Sequence, residues 1–217
     1  MKTDKTHYNS FYFNDFQKKI GKLGGEANKF KFEKHIRETD TVLDFGSGGG
    51  FLLNNLTCKK KIGVEINDTA RDYCKKTLNI ECYKNLDEIK NNSIDIVISN
   101  HCLEHCSNPD YLLSELFKKL KRPGKIIISV PLDSRKFKYE KNDINFHLYS
   151  FSPMNLGNLL FNNGFEVLFS NTLYHKWPPK AHLLYRIIGF KAFNALCYLY
   201  GRLNFRFTQT IAIGLKA

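Results

Sequence analysis

Short runs of apolar, β-branched residues alternate along the chain with longer segments in which apolar residues recur every three or four positions. Runs that are apolar throughout are typical of strands buried on both faces of a sheet, and the longer spacing is typical of helices. Their alternation predicts an α/β fold in which helices cover a mostly parallel sheet. The predicted strands are 41–45, 61–66, 80–83, 94–99, 125–130, 166–170 and 207–215.

Two helices are predicted from their first residues. Asn108-Pro109 and Ser152-Pro153 each place a capping side chain directly before a proline, which suits the first turn of a helix. Gly164 indicates the end of the second helix. A further helix is predicted over 26–36.

The 217 residues are predicted to form a single domain. Its core is 38–170 and its final strand 207–217, with an N-terminal elaboration (1–37) and an insertion or lid (171–206) around them. The amino terminus lacks the apolar core of a secretory signal and no stretch resembles a membrane span, so a cytoplasmic location is expected. Six cysteines spread over predicted helices and strands are expected to be reduced.

The formal net charge of +12 changes the picture of possible partners. It favours attraction to nucleic acid, an anionic membrane surface, a nucleotide-linked substrate or an acidic polysaccharide. A solvated basic surface without such a partner is the alternative.

Candidate chemistry begins in the segment 42–50, VLDFGSGGG, which predicts a strand followed by a sharp glycine turn. Such a turn lets the backbone approach a ligand closely, and the helix after it offers unpaired amides. The dinucleotide fingerprint requires glycine or alanine at the position held by Phe51, which disfavours nicotinamide or flavin cofactors. The Gly-Lys-Ser/Thr of a phosphate-binding P-loop is absent from the sequence.

Glu65 stands at the end of the next predicted strand, where a carboxylate can accept both hydroxyls of a ribose. Together with Asp44-x-Gly46-x-Gly48, this pattern resembles the class I S-adenosylmethionine-dependent methyltransferases. The resemblance continues through 94–101, 103–105 and 120–125, and it covers residues 38–170. It implies a Rossmann-like, seven-stranded, mostly parallel sheet with helices on both faces and an antiparallel last strand.

The resemblance also implies S-adenosylmethionine as the cofactor and assigns residues to it. Asp44 would help to place the methionine moiety, Asn85 would border the adenine, and Asn100 would close over the methionine end. For Asn85 and Asn100, a side chain that only bonds its own loop backbone is an equal alternative. The predicted cofactor-binding residues are Asp44, Gly46, Ser47, Gly48, Glu65, Ile66, Asn85, Leu86, Asn100 and His101.

Substrate residues are expected outside the carboxyl ends of the later strands, in 131–150 and 171–206. An alcohol acceptor must lose its proton as the new bond forms, and histidine suits that task at neutral pH. His147 is the predicted catalytic base, and a histidine that only bonds the loop backbone is the alternative. The predicted substrate residues are His105, Asp143, Tyr149, His175 and Trp177.

The run from His101 to Cys106, HCLEHC, contains several residue types that bind zinc. Structural zinc sites normally use two separated pairs of ligands, and this run supplies one pair. The resemblance already accounts for 103–105, so no metal is expected.

The stretch 181–200 is apolar over a wider surface than an ordinary solvated helix. It could form a lid over the pocket, a dimer contact, or a peripheral contact with a membrane surface. Packing as a lid is the favoured interpretation.

The favoured function is O-methylation of a small-molecule or carbohydrate acceptor, such as a cell-surface glycan or nucleotide-linked sugar. The motivating features are the histidine-bearing loop and Trp177, which could stack on a sugar ring. Methylation of RNA or DNA is the alternative that would use the positive charge, but the sequence lacks the motifs usual for that function. A non-catalytic, cofactor-binding scaffold is the third hypothesis.

Overall fold

The computed structural model describes residues 9–132, 138–141, 143–204 and 208–217, and its seven strands form one sheet. The strands are β1 (Thr41–Phe45), β2 (Lys60–Val64), β3 (Glu81–Tyr83), β4 (Ile94–Asn100), β5 (Leu120–Leu132), β6 (Glu166–Leu173) and β7 (Thr208–Lys216). Their spatial order is β3-β2-β1-β4-β5-β7-β6. The last strand in sequence, β7, runs antiparallel between β5 and β6, which confirms the predicted fold.

Six α-helices connect and flank these strands. They are α1 (Lys18–Asn28), α2 (Phe51–Asn54), α3 (Asp68–Leu78), α4 (Pro109–Lys119), α5 (Pro153–Asn162) and α6 (Ala181–Leu203). The predicted caps are confirmed, because the side chain of Asn108 accepts from the Tyr111 amide and that of Ser152 accepts from the Asn155 amide. Gly164 follows α5 with φ of +84°, a conformation that favours glycine.

Successive residues of the central strands point to opposite faces of the sheet, and both faces are buried. In β1, Leu43 packs into the apolar cluster that includes the inner faces of α4 and α5, whereas Val42 packs into the cluster beneath α2 and α3. The same alternation separates Ile126 from Ile127 in β5. Burial on both faces explains why these strands are apolar throughout.

The N-terminal segment differs from its prediction. A helix was expected over 26–36, but α1 ends at Asn28 and only short 3₁₀ turns, Lys29–Lys31 and Glu33–His35, follow it. A π-helical turn, Tyr12–Gln17, precedes α1. The predicted position was wrong because the glycines and lysines of α1 obscure its apolar spacing. The tertiary contact with α2 decides where α1 lies.

The contact between α1 and α2 is close because α1 carries glycines where it crosses Phe51, the first residue of α2. A Cβ on Gly25 would overlap the carbonyl group of Phe51, and a Cβ on Gly21 would overlap the Phe51 ring. A Cβ on the neighbouring Gly24 would instead make an ordinary 3.6 Å contact with the ring of Trp177. Backbone approach at Gly25 therefore sets the distance between α1 and the glycine turn.

We expect Gly25→Ala to lower the free energy of unfolding by roughly 1–3 kcal/mol, because the added methyl group must push two backbones apart. Gly24→Ala is the matched control and should raise it by about 0.5–1 kcal/mol through helix propensity. Urea denaturation of the two variants beside the parent protein measures both changes. Equal effects of the two substitutions would show that the close approach at Gly25 does not matter.

Candidate cofactor and acceptor site

The glycine turn after β1 is built from residues with positive φ. Gly46, Gly48 and Gly50 have φ of +77°, +53° and +78°. A Cβ on Gly46 would also overlap the Cys102 side chain. The amides of Gly46 and Ser47 donate to the carbonyl of Val64, which holds the turn against the end of β2. The turn therefore presents backbone at the carboxyl ends of β1 and β2, where a parallel sheet binds ligands.

Glu65 fixes the next part of the turn. Its side chain accepts from the Gly48 amide at 2.7 Å and from the Asn67 amide at 2.8 Å, and the residue is 7% exposed. Burial raises the pKa of the Glu65 carboxyl, and the two backbone donors oppose that rise. Each carboxylate oxygen can accept a second hydrogen bond, so the hydroxyls of a bound ribose can still be accommodated.

Asp44 lies beneath the turn and is 3% exposed. Burial, followed by the nearby Cys82 and Glu65 side chains, raises the pKa of its carboxyl to about 8. Within the described residues, no side chain or backbone amide donates to this carboxyl group. A cationic ligand group such as the ammonium of the methionine moiety would suit it, because that charge favours the ionised form.

Gln17 supplies a second acceptor on the opposite side of the turn. Its Oε1 is buried and has no hydrogen-bond partner among the described residues, and its side chain faces Gly48. A buried amide oxygen without a donor is costly, and a polar ligand would remove that cost. Asp44, Glu65 and Gln17 together therefore fit a ligand that carries hydroxyl and ammonium donors.

Two adjoining cavities open at this edge of the sheet. The smaller, about 390 Å³, is lined by Glu65, Ile66, Asn85 and Leu86. The larger, about 500 Å³, is lined by Asp44, Ser47, Gly48 and Asn100. Both are bordered by Gly46 and His101 and by side chains that include Tyr12, Gln17 and His105. All ten residues expected at the cofactor thus border one continuous site.

Asn85 and Asn100 have different surroundings within that site. The backbone amide of Asn85 donates to the Glu88 side chain at 3.1 Å, which ties Asn85 to the 3₁₀ turn Leu86–Glu88. The side chain of Asn100 accepts from the ammonium of Lys31 at 2.8 Å. Both residues line a cavity as well, so local bonding and a ligand contact are compatible here.

Two expected residues, His147 and His105, come together with Glu104 on the larger cavity. His147, from the loop after β5, lies beside His105, with ring centroids 5.1 Å apart, and the Nε2 atom of His105 lies 3.6 Å from the Glu104 carboxylate. The loop is held here because the amides of Leu148 and Tyr149 donate to the carbonyl of Glu104. Glu104 belongs to the 103–105 motif but was not among the residues predicted at the site.

One candidate ligand atom from each of Glu104, His105 and His147 lies within 4.8 Å of the others. Two histidines and a carboxylate form a donor set that could bind a divalent cation. Glu104 and His105 belong to the run 101–106 that was considered from the sequence. The third candidate ligand, His147, comes from a loop that is distant in sequence. Metal analysis therefore belongs in any test of His147.

Asp143 and Tyr149, expected at the substrate, lie outside both cavities. The Asp143 carboxylate accepts from the amides of Asn145 and Phe146, and the Tyr149 hydroxyl donates to the carbonyl of Ser107. Both side chains organise the loop that presents His147. The described residues do not include 133–137 or 142. Two polar residues of the loop after β5, Asp133 and Arg135, therefore lie outside them.

His175 and Trp177 both line the larger cavity, but their surroundings differ. His175 is packed between the rings of Phe30 and Tyr198, and its Nε2 atom lies 2.7 Å from the Asn194 side chain. Burial lowers the pKa of His175 to about 4, so it is neutral at pH 7. Trp177 packs against Phe193 of α6 and keeps an edge at the cavity.

Lys31 is a residue that the sequence did not single out. It is 2% exposed, and its ammonium donates to Asn100, Ser129 and Gln209 at 2.8, 3.2 and 2.5 Å. Burial lowers its pKa to about 7. Gln209 also lies 3.0 Å from the His101 ring, so Lys31 orders polar side chains that line the larger cavity.

A comparison of sequences decides the family. The profile of a family described as "Methyltransferase domain" matches residues 8–169, which include the glycine turn, Glu65 and the 103–105 motif. The chain belongs to this family. It is an S-adenosylmethionine-dependent class I methyltransferase.

Among curated proteins, the chain is similar to the ribosomal protein L11 methyltransferase of Aquifex aeolicus, with 28% identity over 103 residues. That match covers 42% of this chain and 40% of the relative, so it spans less than half of either protein.

Solved structures share the fold over nearly the whole chain. A methyltransferase from Archaeoglobus fulgidus has a TM-score of 0.67 at 21% identity and covers 94% of this chain and 100% of its own. A chain of the Haloferax volcanii complex between the Trm112 methyltransferase activator and a methyltransferase has a TM-score of 0.68 at 16% identity, with 99% of both chains covered. A phosphoethanolamine N-methyltransferase from Haemonchus contortus has a TM-score of 0.60 at 15% identity, covering 89% of this chain and 52% of its own.

The raised pKa of Asp44 predicts how cofactor affinity depends on pH. Asp44 is largely protonated below pH 8 in the free protein, whereas the cofactor's ammonium favours the ionised carboxylate. Binding therefore releases a proton below pH 8, and affinity should rise with pH, by at most about tenfold per unit. Calorimetry with S-adenosylhomocysteine between about pH 6.5 and pH 8 measures this slope.

The Asp44→Asn variant should bind S-adenosylhomocysteine more weakly. Its affinity should also lose the slope with pH, since the amide does not titrate. Asp72→Asn, an exposed carboxylate on α3, is the matched control and should keep it. A slope that survives in Asp44→Asn would assign the proton to another group.

Proposed function

We propose that this methyltransferase transfers the methyl group to a hydroxyl oxygen of a small-molecule or carbohydrate acceptor, with His147 accepting the hydroxyl proton. The observation that carries the proposal is the position of His147 on the larger cavity, which also borders the cofactor residues Asp44, Gly46 and Gly48. An acceptor in that cavity lies between the histidine and the methyl donor.

The reaction is an in-line displacement at the methyl carbon. The carbon–sulfur bond breaks as the oxygen–carbon bond forms, S-adenosylhomocysteine leaves, and the acceptor proton passes to the His147 imidazole. His105 lies beside that ring, and the Glu104 carboxylate lies 3.6 Å from the Nε2 atom of His105. Glu104 and His105 are positioning residues in this proposal.

The dimensions and lining of the cavity support a sugar-sized acceptor. A space of about 500 Å³ has room for a monosaccharide-sized acceptor beside the methionine end of the cofactor, which Asp44 would hold in the same cavity. Trp177 offers an apolar surface for a sugar ring, while Asn145 and Lys176 offer hydrogen bonds at the same wall. These features favour an acceptor from glycan or polysaccharide biosynthesis, and the six free thiols favour a cytoplasmic location.

The direct test of the acceptor class uses labelled methyl donor. We expect label from methyl-tritiated S-adenosylmethionine to enter a member of a panel of nucleotide sugars and simple glycosides as an ether. Total RNA and a ribosomal protein extract serve as competing acceptors, because the relatives include a methyltransferase named for ribosomal protein L11. Label confined to RNA or protein would contradict the proposal, and binding without any transfer would support a scaffold.

His147→Ala should keep its affinity for S-adenosylhomocysteine and lose about 10²- to 10⁴-fold in kcat, the range for removal of a general base. His182→Ala, an exposed histidine on α6 that lines neither cavity, is the matched control and should retain full turnover. Both rates are measured with the acceptor identified by labelling.

Elemental analysis of the same preparations separates a base from a metal ligand. Stoichiometric divalent metal that is present in the parent protein and lost from His147→Ala would overturn the assignment as base. Unchanged turnover in His147→Ala would remove the residue from the mechanism altogether.

A further inference from the structure

The helix α6 has one face packed against the protein and one face turned outward. Phe193 and Cys197 are fully buried against Ala27 and Leu23 of α1. Five aliphatic side chains of the helix are exposed, and we call them the α6 outer surface: Leu183, Ile187, Ile188, Leu199 and Leu203. Ile187 is 70% exposed and Leu203 is 74% exposed, and no described residue covers them.

Basic residues accompany this surface, and acidic residues are missing from it. Lys180, Arg186, Lys191 and Arg202 are all exposed along the same helix and its first turn. The sequence contains no aspartate or glutamate after Glu166. Aliphatic side chains flanked by cations on a helix are the pattern that lies in the plane of an anionic lipid interface.

The inner face of the same helix adjoins the acceptor cavity. Trp177 lines that cavity, and its ring packs against Phe193 on the inner face of α6. A membrane beneath the α6 outer surface would therefore be separated from the Trp177 wall of the cavity by the thickness of one helix, roughly 10 Å.

We infer that the α6 outer surface binds the anionic surface of a lipid bilayer, with its aliphatic side chains in the headgroup region and its cations on the lipid phosphates. The helix lies on the bilayer, since within the described residues no helix has the length and apolarity to cross one. Gly189, with φ of +71° and open space around it, interrupts the helix and divides the surface into two segments.

Two other occupants fit the surface less well. A second copy of this chain would bring two sets of cations together, and α6 offers no acidic residue to pair with them. Nucleic acid would attract the cations but would leave the exposed aliphatic residues against water and phosphate. Both are outcomes that the experiment distinguishes.

The test is cosedimentation of the full chain with vesicles, without cofactor or acceptor. We expect binding to vesicles in which phosphatidylglycerol makes up a third of the phosphatidylcholine lipid, weak binding to phosphatidylcholine alone, and weakening by salt. The double variant Ile187→Glu, Leu199→Glu should lose roughly tenfold in vesicle affinity. Phe161→Glu, equally exposed on α5 at the other face of the sheet, is the matched control and should bind like the parent.

Unchanged thermal unfolding and S-adenosylhomocysteine affinity establish that the double variant is folded. Failure of the parent protein to bind anionic vesicles, or equal binding by the double variant, overturns the inference. A shift of single-stranded RNA without vesicle binding assigns the surface to nucleic acid, and concentration-dependent dimerisation lost in the double variant assigns it to self-association.

Delivery of a lipid-linked acceptor to the cavity is the role that this surface would serve, and that part rests on the proposed function. Vesicle binding is measured without methyl transfer, so its result stands apart from the result of the acceptor panel.

Discussion

A buried carboxylate at the end of β2 holds the glycine turn in place, and the cofactor site depends on it. Glu65 accepts from the amides of Gly48 and Asn67, and burial of an ionised carboxyl is tolerated only with such donors. The turn it holds has positive φ at three glycines, so no other residue type would follow the same path easily. Asp44, directly beneath, is thereby kept away from water and available to a cationic ligand group.

The segment before β1 supplies part of the lining of both cavities. Tyr12 and Gln17 border both cavities, and α1 reaches the glycine turn through the close approach of Gly25 to Phe51. Lys31 then extends from the end of this segment to Asn100 and Gln209, which line the larger cavity. The candidate site is therefore built both from the ends of the strands and from residues outside the bare strand–helix alternation.

Local patterns were enough to predict the sheet and to select residues that border the two cavities. Apolar runs located the strands to within a few residues, although β5 begins at Leu120, five residues before the expected start, because Lys121 and Arg122 interrupt its apolar pattern. Asp44, Gly46 and Glu65 could be selected as candidates because the motif that contains them depends on short spacings after two strands.

Residues that act through long-range contacts escaped such reasoning. Lys31 gave no signal, because a lysine in a basic sequence is ordinarily exposed. Asp143 and Tyr149 have polar groups in the expected loop, but their partners are backbone atoms that only the folded chain brings near. His147 was a good candidate by residue type, whereas its neighbours His105 and Glu104 became evident only from the fold.

A crystal structure of the protein with S-adenosylhomocysteine would show which residues hold the methyl donor. We expect the ribose hydroxyls at Glu65, the amino group at Asp44, and the sulfur atom facing the cavity lined by His147 and Trp177. A ligand whose sulfur faces away from that cavity, or one bound without contact to Asp44 and Glu65, would contradict this expectation.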